Sequence, residues 1–242
     1  MSKIAYVTDL HLEEHFPISQ GVDAWKNWER VLADISERGI KEIILGGDLG
    51  EPSSHKAFFK SLKGLDISLT LGNHDELEEV RKYFQIESVG ESKELYYSQE
   101  REFHKLIFLD SSAGSIAKSI SETQFNWLQN ELLTSKNIVL FIHHPIIPAI
   151  AEVDIHYHLK GREKIQELLL SVENDISIFC GHYHFHDEKR KGKLHQLITP
   201  AVSYQSVNIP HEAKIITDTF GYRIIELNEM GMNEELVTFN VD

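Results

Sequence analysis

Cysteine is nearly absent from this chain: Cys180 is the only one in 242 residues. An internal disulfide is therefore excluded, and so are Cys-rich zinc modules, which makes a reducing compartment the expected setting. Positive charge is scarce too. The 24 Lys and Arg stand against 38 Asp and Glu, a net charge of −14. Surfaces that grip extended nucleic acid or anionic lipid need clustered cations to displace counterions, so neither is expected as a partner. Also missing are a basic opening segment followed by an apolar one and any apolar run of about 18 residues, and the cytoplasm is the expected location. No linker, low-complexity stretch or fixed-period repeat breaks the chain, and residues 1–242 read as one domain.

What is present is enough to build a core: 41% hydrophobic residues, with 12 Phe, 8 Tyr and 3 Trp. Histidine is abundant, at 14 residues. With so few cations, any phosphate chemistry needs positive charge from elsewhere, and bound metal ions are the obvious source.

The chain opens with a β-prone run, Lys3 to Thr8, that ends at Asp9-Leu10-His11. Trp25, Trp28, Val31, Leu32 and Ile35 then recur at helical spacing up to Arg38-Gly39, where Gly suits a C-cap. A strand over Lys41 to Leu45 ends at Gly46-Gly47-Asp48, and Pro52-Ser53-Ser54 starts a helix to about Leu62. A third strand, Ile67 to Leu71, ends at Gly72-Asn73-His74-Asp75 and leads into a helix around Glu78 to Tyr83. Three strand–helix units imply a parallel sheet with right-handed crossovers.

Paired short strands follow at Leu95-Tyr96-Tyr97 and Leu106 to Leu109, expected to be antiparallel. Ser121-Glu122-Thr123-Gln124 reads as a capping box ahead of a helix with Phe125, Leu128 and Leu132 on its apolar face. The strand Asn137 to Ile142 ends at His143-His144-Pro145. Residues 146–159 read as a loop, followed by a helix from Gly161 to Leu170. The strand Ile176 to Cys180 ends at Gly181-His182-Tyr183-His184. Lys193 to Thr199, Tyr222 to Leu227 and Leu236 to Val241 read as antiparallel strands.

Strand ends thus present Asp9 and His11, Asp48, Asn73 and His74, His143, and His182 and His184. In open α/β sheets ligands bind beyond the carboxyl ends of the strands, so these groups are expected to meet on one rim. Carboxylate, imidazole and amide oxygen without thiolate suit Mn²⁺, iron, Zn²⁺ or Co²⁺. Seven such ligands exceed what one catalytic ion uses and match two, which need a bridging carboxylate. Asp48 is the expected bridge, with Gly46 and Gly47 permitting close backbone approach.

These motifs, Asp9-Leu10-His11, Gly47-Asp48, Gly72-Asn73-His74-Asp75, His143 and Gly181-His182-Tyr183-His184, together resemble those of the calcineurin-like metallophosphoesterase superfamily. The resemblance implies a four-layer α/β/β/α sandwich with two mixed sheets and a dinuclear metal site at strand C-terminal ends. It implies that one metal takes Asp9, His11, Asp48 and His184, and the other Asp48, Asn73, His143 and His182. It leaves His74 as the catalytic acid that protonates the leaving oxygen, while water held between two divalent or mixed-valence ions, Mn or Fe foremost, attacks the phosphorus. Asp75 is placed with His74 as a catalytic residue that orients it, or else only starts the next helix.

Within the superfamily, Ser/Thr protein phosphatases resemble G-D-x-x-D-R-G where this chain has Gly47-Asp48-Leu49-Gly50-Glu51-Pro52-Ser53, without the Arg that grips phosphate. Lipid-A-precursor pyrophosphatases resemble G-N-R-D where this chain has His74. The chain is most similar to class III cyclic-nucleotide phosphodiesterases, also through Ile120 to Leu128, His195 to Ala201 and Gly221 to Leu227. This implies a small phosphodiester substrate, 3′,5′-cyclic nucleotides first, and is compatible with a homo-oligomer. A phosphomonoesterase of the same fold and a non-catalytic metal-binding scaffold are the alternatives.

Other residues have two readings each. His144 either packs locally or backs the site; His156 and His158 line the pocket mouth or lie in a solvated loop; His186 is mainly expected outside the site. Cys180 reads as a buried thiol, and Trp25 and Trp28 as core residues with base stacking as the alternative.

Overall fold

The strand β1 (Lys3–Val7) is buried at every residue past Lys3 and lies at the centre of a five-stranded sheet. The computed structural model describes residues 3–85, 93–112, 119–209, 214–229 and 231–241. On one side of β1 run β2 (Glu42–Leu45) and β3 (Asp66–Leu69), both parallel to it. Their register aligns Val7 with Leu45 and Leu45 with Leu69, so the three strands end level and release their polar tails at one height. On the other side lie the last two strands, β12 (Thr219–Asn228) and β13 (Gly231–Asn240), in antiparallel steps.

A second sheet has six strands: β4 (Tyr97–Glu100), β5 (His104–Leu109), β6 (Asn137–Ile142), β7 (Ile176–Cys180), β9 (Leu194–Ile198) and β8 (Asp187–Lys191), in that spatial order. β4 is antiparallel to β5, as expected, but it lies over Tyr97–Glu100 and shares only Tyr97 with the expected Leu95-Tyr96-Tyr97. A small hairpin, β10 (Gln205–Ser206) with β11 (Ile215–Ile216), stands apart from both sheets.

Alternation along the second sheet binds the layers together. Leu106, Phe108, Val139, Phe141, Phe179 and Leu197 share one core with the first sheet. Tyr6 of β1 sits 5.6 Å from the rings of both Phe141 and Phe179. The intervening Ile107, Leu109, Leu140, Ile142 and Ile178 turn the other way, against Leu128 of α5 (Glu122–Glu131) and Ile165 and Leu169 of α7 (Arg162–Ser171). The outer face of the first sheet is covered by α2 (Ala24–Glu37) and α3 (Pro52–Ser61) through Trp28, Val31, Ile35 and Phe58. The result is the expected α/β/β/α sandwich of two mixed sheets. Each large side chain buried in it contributes about 1.5–3 kcal/mol. Trp28 is wholly buried against Phe58 and Trp25 packs on the same core, which is the core reading of both.

Local signals were mostly obeyed. Asp23 caps α2 at Lys26 N, and Gly39, just past its end, takes φ +67 where a side chain would be strained. The capping box at Ser121 is only half formed: Ser121 Oγ accepts from Gln124 N, but the Gln124 amide turns inward to bond the backbone N–H and C=O of Asp110.

Two expectations are corrected. The strand expected over Lys193 to Thr199 is antiparallel only on one side, to β8 at the sheet edge, and runs parallel to β7 on the other. With five charged residues, Asp-Glu-Lys-Arg-Lys, β8 carries no apolar alternation by which to be found. Residues 146–159, expected as loop, contain the helix α6 (Glu152–Tyr157), one and a half turns with only Asp154 buried. The short α1 (His15–Ser19) and α4 (Leu77–Val80) complete the described elements.

Candidate metal centre

The expected rim is made by two sheets, not one. Asp9, His11, Asp48, Asn73 and His74 follow β1, β2 and β3 of the first sheet; His143, His182 and His184 follow β6 and β7 of the second. Their backbone is unusual. Asp9, His11, Asp48, His182 and His184 have φ of 54°, 47°, 55°, 68° and 53°, the left-handed region that costs a residue with a side chain about 1–3 kcal/mol. Hydrogen bonds between loops hold them there: Asp9 N to Gly47 O (3.0 Å), His11 N to Asp48 O (3.0 Å) and Ser203 N to Asp9 O (3.1 Å). Five of the six non-glycine residues with positive φ among those described belong to this rim, the sixth being Glu13, and none lies within a strand, so the strain is concentrated where the donor groups gather.

The donor atoms converge. Asp9 Oδ1 lies 3.2 Å from His184 Nε2, and His184 Nε2 lies 3.1 Å from His11 Nε2. Asp48 Oδ2 lies 3.2 Å from His143 Nε2 and 3.6 Å from His11 Nε2. Three groups with cation-binding geometry result, Asp9–His11–His184, Asp48–His143–His182 and His11–Glu14–His74, the last without an Asp and with His74 exposed. Asn73 Oδ1 and His143 Nε2 are buried without a hydrogen-bond partner, a cost of about 1–3 kcal/mol each unless something else meets them. The glycines make room: a Cβ on Gly72 would run into Asp48 Oδ1, and one on Gly181 into Asp9 Oδ2.

The rings are also turned for coordination. His143 Nδ1 donates to Gly46 O (2.8 Å), His184 Nδ1 to Tyr204 O (3.0 Å) and His182 Nε2 to Tyr157 O (3.0 Å). Each bond fixes one ring nitrogen as N–H and leaves the other as a lone-pair donor, the usual arrangement around metal-binding His. Buried orphan oxygen and nitrogen, fixed tautomers and an all N/O donor set fit two divalent cations.

Electrostatics point the same way. Burial opposes ionisation of Asp9 and Asp48, yet His184 beside Asp9 and His143 beside Asp48 hold both carboxyls below their usual range. Burial works against charge on His11 and His143 too, but Glu14 and Asp48 raise His11, and Asp48 raises His143, each to about 9.

Asp75 does something other than orient His74. Its carboxylate accepts from the backbone N–H of Asp48 (2.8 Å), Leu49 (2.9 Å) and Gly72 (2.8 Å), stapling the loop after β2 to the loop after β3. Nor is it the helix cap, since Glu76 occupies that position of α4. Burial and the nearby Asp48 push its pKa up to about 6.

The residue sequence reasoning missed is Glu14. Its Oε1 meets His11 Nδ1 at 2.9 Å and its Oε2 meets His74 Nδ1 at 3.0 Å. The only signal was an acidic residue three positions after a ligand-type His, and Glu13, two positions after it, was a competing candidate. Glu13 instead takes φ 62° and accepts from Ser53 Oγ.

Of the remaining His, His144 is buried, bonded to Ser111 Oγ at 2.8 Å, with its ring 4.1 Å from that of His182. His156 lines the pocket and bonds Glu152, His158 bonds Asp154 O, and His186 meets Arg223 away from the centre. Cys180 is buried. A pocket of about 670 Å³ opens over the cluster, walled by Phe16, Tyr204, α6 and the β10–β11 hairpin.

Two mixed sheets whose strand ends pool carboxylate, imidazole and amide donors define a metal-dependent hydrolase. The calcineurin-like phosphoesterase family model matches residues 2–186, and the chain belongs to that family. It is a phosphoesterase of that family. A probable cyclic nucleotide phosphodiesterase of Fibrobacter succinogenes is 29% identical over 75% of this chain and 72% of its own. A probable glycerophosphodiester phosphodiesterase of Arcobacter nitrofigilis is 28% identical over 87% and 82%. A cAMP/cGMP dual specificity phosphodiesterase of Mycobacterium tuberculosis is 26% identical over 68% and 55%. Among solved structures, a dimetal phosphatase from Danio rerio superposes with TM-score 0.62 at 12% identity, covering 99% of this chain and 98% of its own, a likeness of fold alone.

Proposed function

We propose that this chain is a dinuclear phosphodiesterase of small diesters, 3′,5′-cyclic nucleotides first, with His74 as general acid. One observation carries the reading: Asp48 Oδ2 stands 3.6 Å from His11 Nε2 and 3.2 Å from His143 Nε2, shared between two donor groups. It supports one ion on Asp9, His11, Asp48 and His184 and a second on Asp48, Asn73, His143 and His182. Mn and Fe are the leading metals, and Zn or Co suits the same donors. Two such ions, when bound, neutralise phosphoryl charge and lower the pKa of the attacking water.

The chain's own residues supply the rest. Asn73 adds a donor oxygen without adding negative charge beside an anionic ester. His74 lines the pocket with its side chain 46% exposed and its Nδ1 held by Glu14. That hydrogen bond, with burial opposing it, raises its pKa above the ordinary imidazole value, which favours the protonated ring. Its Nε2 then remains to give a proton to the departing oxygen.

The substrate class is supported by the diester names of the relatives and by pocket size, which falls in the range of about 300–1,000 Å³ usual for small ligands. Phe16 and Tyr204, 5.4 Å apart, give the pocket an apolar wall on which a nucleobase can lie. A single buried thiol is in keeping with a reducing compartment such as the cytoplasm.

The test is a panel of cyclic nucleotides, glycerophosphodiesters and aryl mono- and diesters with Mn²⁺- and Fe²⁺-loaded protein. Diesters should turn over faster than p-nitrophenyl phosphate, and the reverse order, with cyclic nucleotides untouched, would overturn the reading. His74→Asn should lower turnover of cyclic nucleotides about 10²–10⁴-fold with metal content unchanged; full activity would remove His74 from the mechanism.

A further inference from the structure

Four imidazoles of the candidate metal centre are each fixed by a partner on the ring nitrogen turned away from the cluster, and one of these partners differs from the others. His143, His182 and His184 rest on the backbone carbonyls of Gly46, Tyr157 and Tyr204. His11 rests on a carboxylate, Glu14, whose second oxygen holds His74, a ring outside both donor groups that contain Asp9 or Asp48. The rings of His11 and His74 stand edge to face at 4.8 Å with this carboxylate on their Nδ1 side.

The chain takes care to put Glu14 there. The left-handed turn at Glu13 sends that side chain outward to Ser53, and the next residue inward, where Glu14 is only 12% exposed. A carboxylate makes a stronger acceptor than a carbonyl, so the rings it holds are more firmly set than their neighbours.

We propose that Glu14 is the positioning residue of the diesterase reaction assigned above, on which this inference rests: one carboxylate aims His11 Nε2 at the first metal position and His74 Nε2 at the leaving oxygen. When water loses a proton to solvent and its oxygen bonds to phosphorus, the phosphorus–oxygen bond to the leaving group breaks and His74 gives its Nε2 proton to the departing alkoxide. It regains a proton from solvent after product leaves. Glu14 transfers nothing; it keeps both rings in register, so the acid sits at a fixed distance from the ion that holds the ester.

Glu14→Gln keeps the volume and removes the charge, and is compared with His74→Asn and the double variant on two diesters. Positioning of an acid matters for a poor leaving group, such as the ribose oxygen of a cyclic nucleotide, and little for p-nitrophenolate. Glu14→Gln should therefore lose about 10–100-fold on cyclic nucleotide and clearly less on bis(p-nitrophenyl) phosphate, and the double variant should be no steeper than His74→Asn alone. Chelator competition on the loaded protein should show one of the two Mn²⁺ ions bound about 10–100-fold more weakly in Glu14→Gln, and neither changed in His74→Asn.

Equal loss on both esters, or steepening that adds in full to that of His74→Asn, would overturn the link to His74. Unchanged affinity for both ions would overturn the link to His11. If wild-type protein cleaves no diester, the functional reading fails while the chelator arm still decides the role toward His11. Melting curves of each variant identify unfolding, and Glu14→Asp, which retracts the carboxylate by one methylene, provides a second charged variant should Glu14→Gln melt early.

Discussion

At the scale of single residues, the centre is a set of conflicts that a cation resolves. In the metal-free chain His11 and His143 are raised to about 9, chiefly because ionised Glu14 and Asp48 outweigh burial. Imidazole must be neutral to bind metal, so ion uptake has to expel those protons. Calorimetric titration with Mn²⁺ at pH 7.5 in buffers of different ionisation enthalpy should show roughly two protons released, and affinity should rise with pH toward about 9. The sign for folding is opposite. A raised His contributes stability in full below its unfolded pKa of about 6.5 and loses it as pH climbs through the folded value. Metal-free protein should therefore melt progressively earlier between about pH 6.5 and 9, whereas the metal-loaded protein gains over the same window. Parallel slopes for the two forms would contradict the assignment of His11 and His143. Most of these residues were legible as types placed at strand ends. Glu14 and the backbone staple of Asp75 were not, because a side chain's reach across two loops is decided by left-handed turns at Glu13 and Asp48 that no periodicity records.

At the scale of elements, apolar runs marked β1, β2, β6 and β7 correctly because both faces of these strands are buried and their residues had to be Val, Ile, Leu or Phe. The charged edge strand β8 and the short helix α6 escaped for the complementary reason, since exposed elements need no apolar pattern. Yet α6 bears on the site: its Tyr157 carbonyl holds His182, and Asp154 is its anchor. The Asp154 carboxylate accepts from Arg162 Nη1 (2.5 Å) and Nη2 (2.9 Å) and from Tyr183 O–H (2.6 Å), and Tyr183 lies between His182 and His184. Removing one partner of such a buried pair strands the other, at a cost of about 3 kcal/mol. Asp154→Ala should lower unfolding free energy by about that amount in urea. It should also weaken metal retention, because the His182 carbonyl partner moves with α6. A loss of stability with metal binding intact would mean that α6 covers the site without supporting it.

At the scale of the whole molecule, the single rim read from the strand ends is shared by two sheets facing across one core, the two mixed sheets the family resemblance implied, each releasing part of the donor set at its own edge. The first 85 residues implied a single parallel sheet because sequence shows strand order and direction but not which strands share a sheet. The family motifs carried that information; periodicity did not. The charge of −14 acts at this scale as well, since two divalent ions offset only part of it and a cyclic nucleotide is an anion. Among the described residues that line the pocket, Lys214 is the only Lys or Arg, so little local charge reverses the long-range field. Repulsion of this kind is screened over about 10 Å at 0.1 M salt. Raising ionic strength from about 0.01 M, where screening reaches about 30 Å, to 0.15 M should therefore increase kcat/KM for an anionic diester and leave kcat nearly constant, because the field slows encounter and not the step after binding. If kcat/KM falls instead, the bound ions and Lys214 dominate what an approaching substrate feels, and the acidic surface is of no consequence for catalysis.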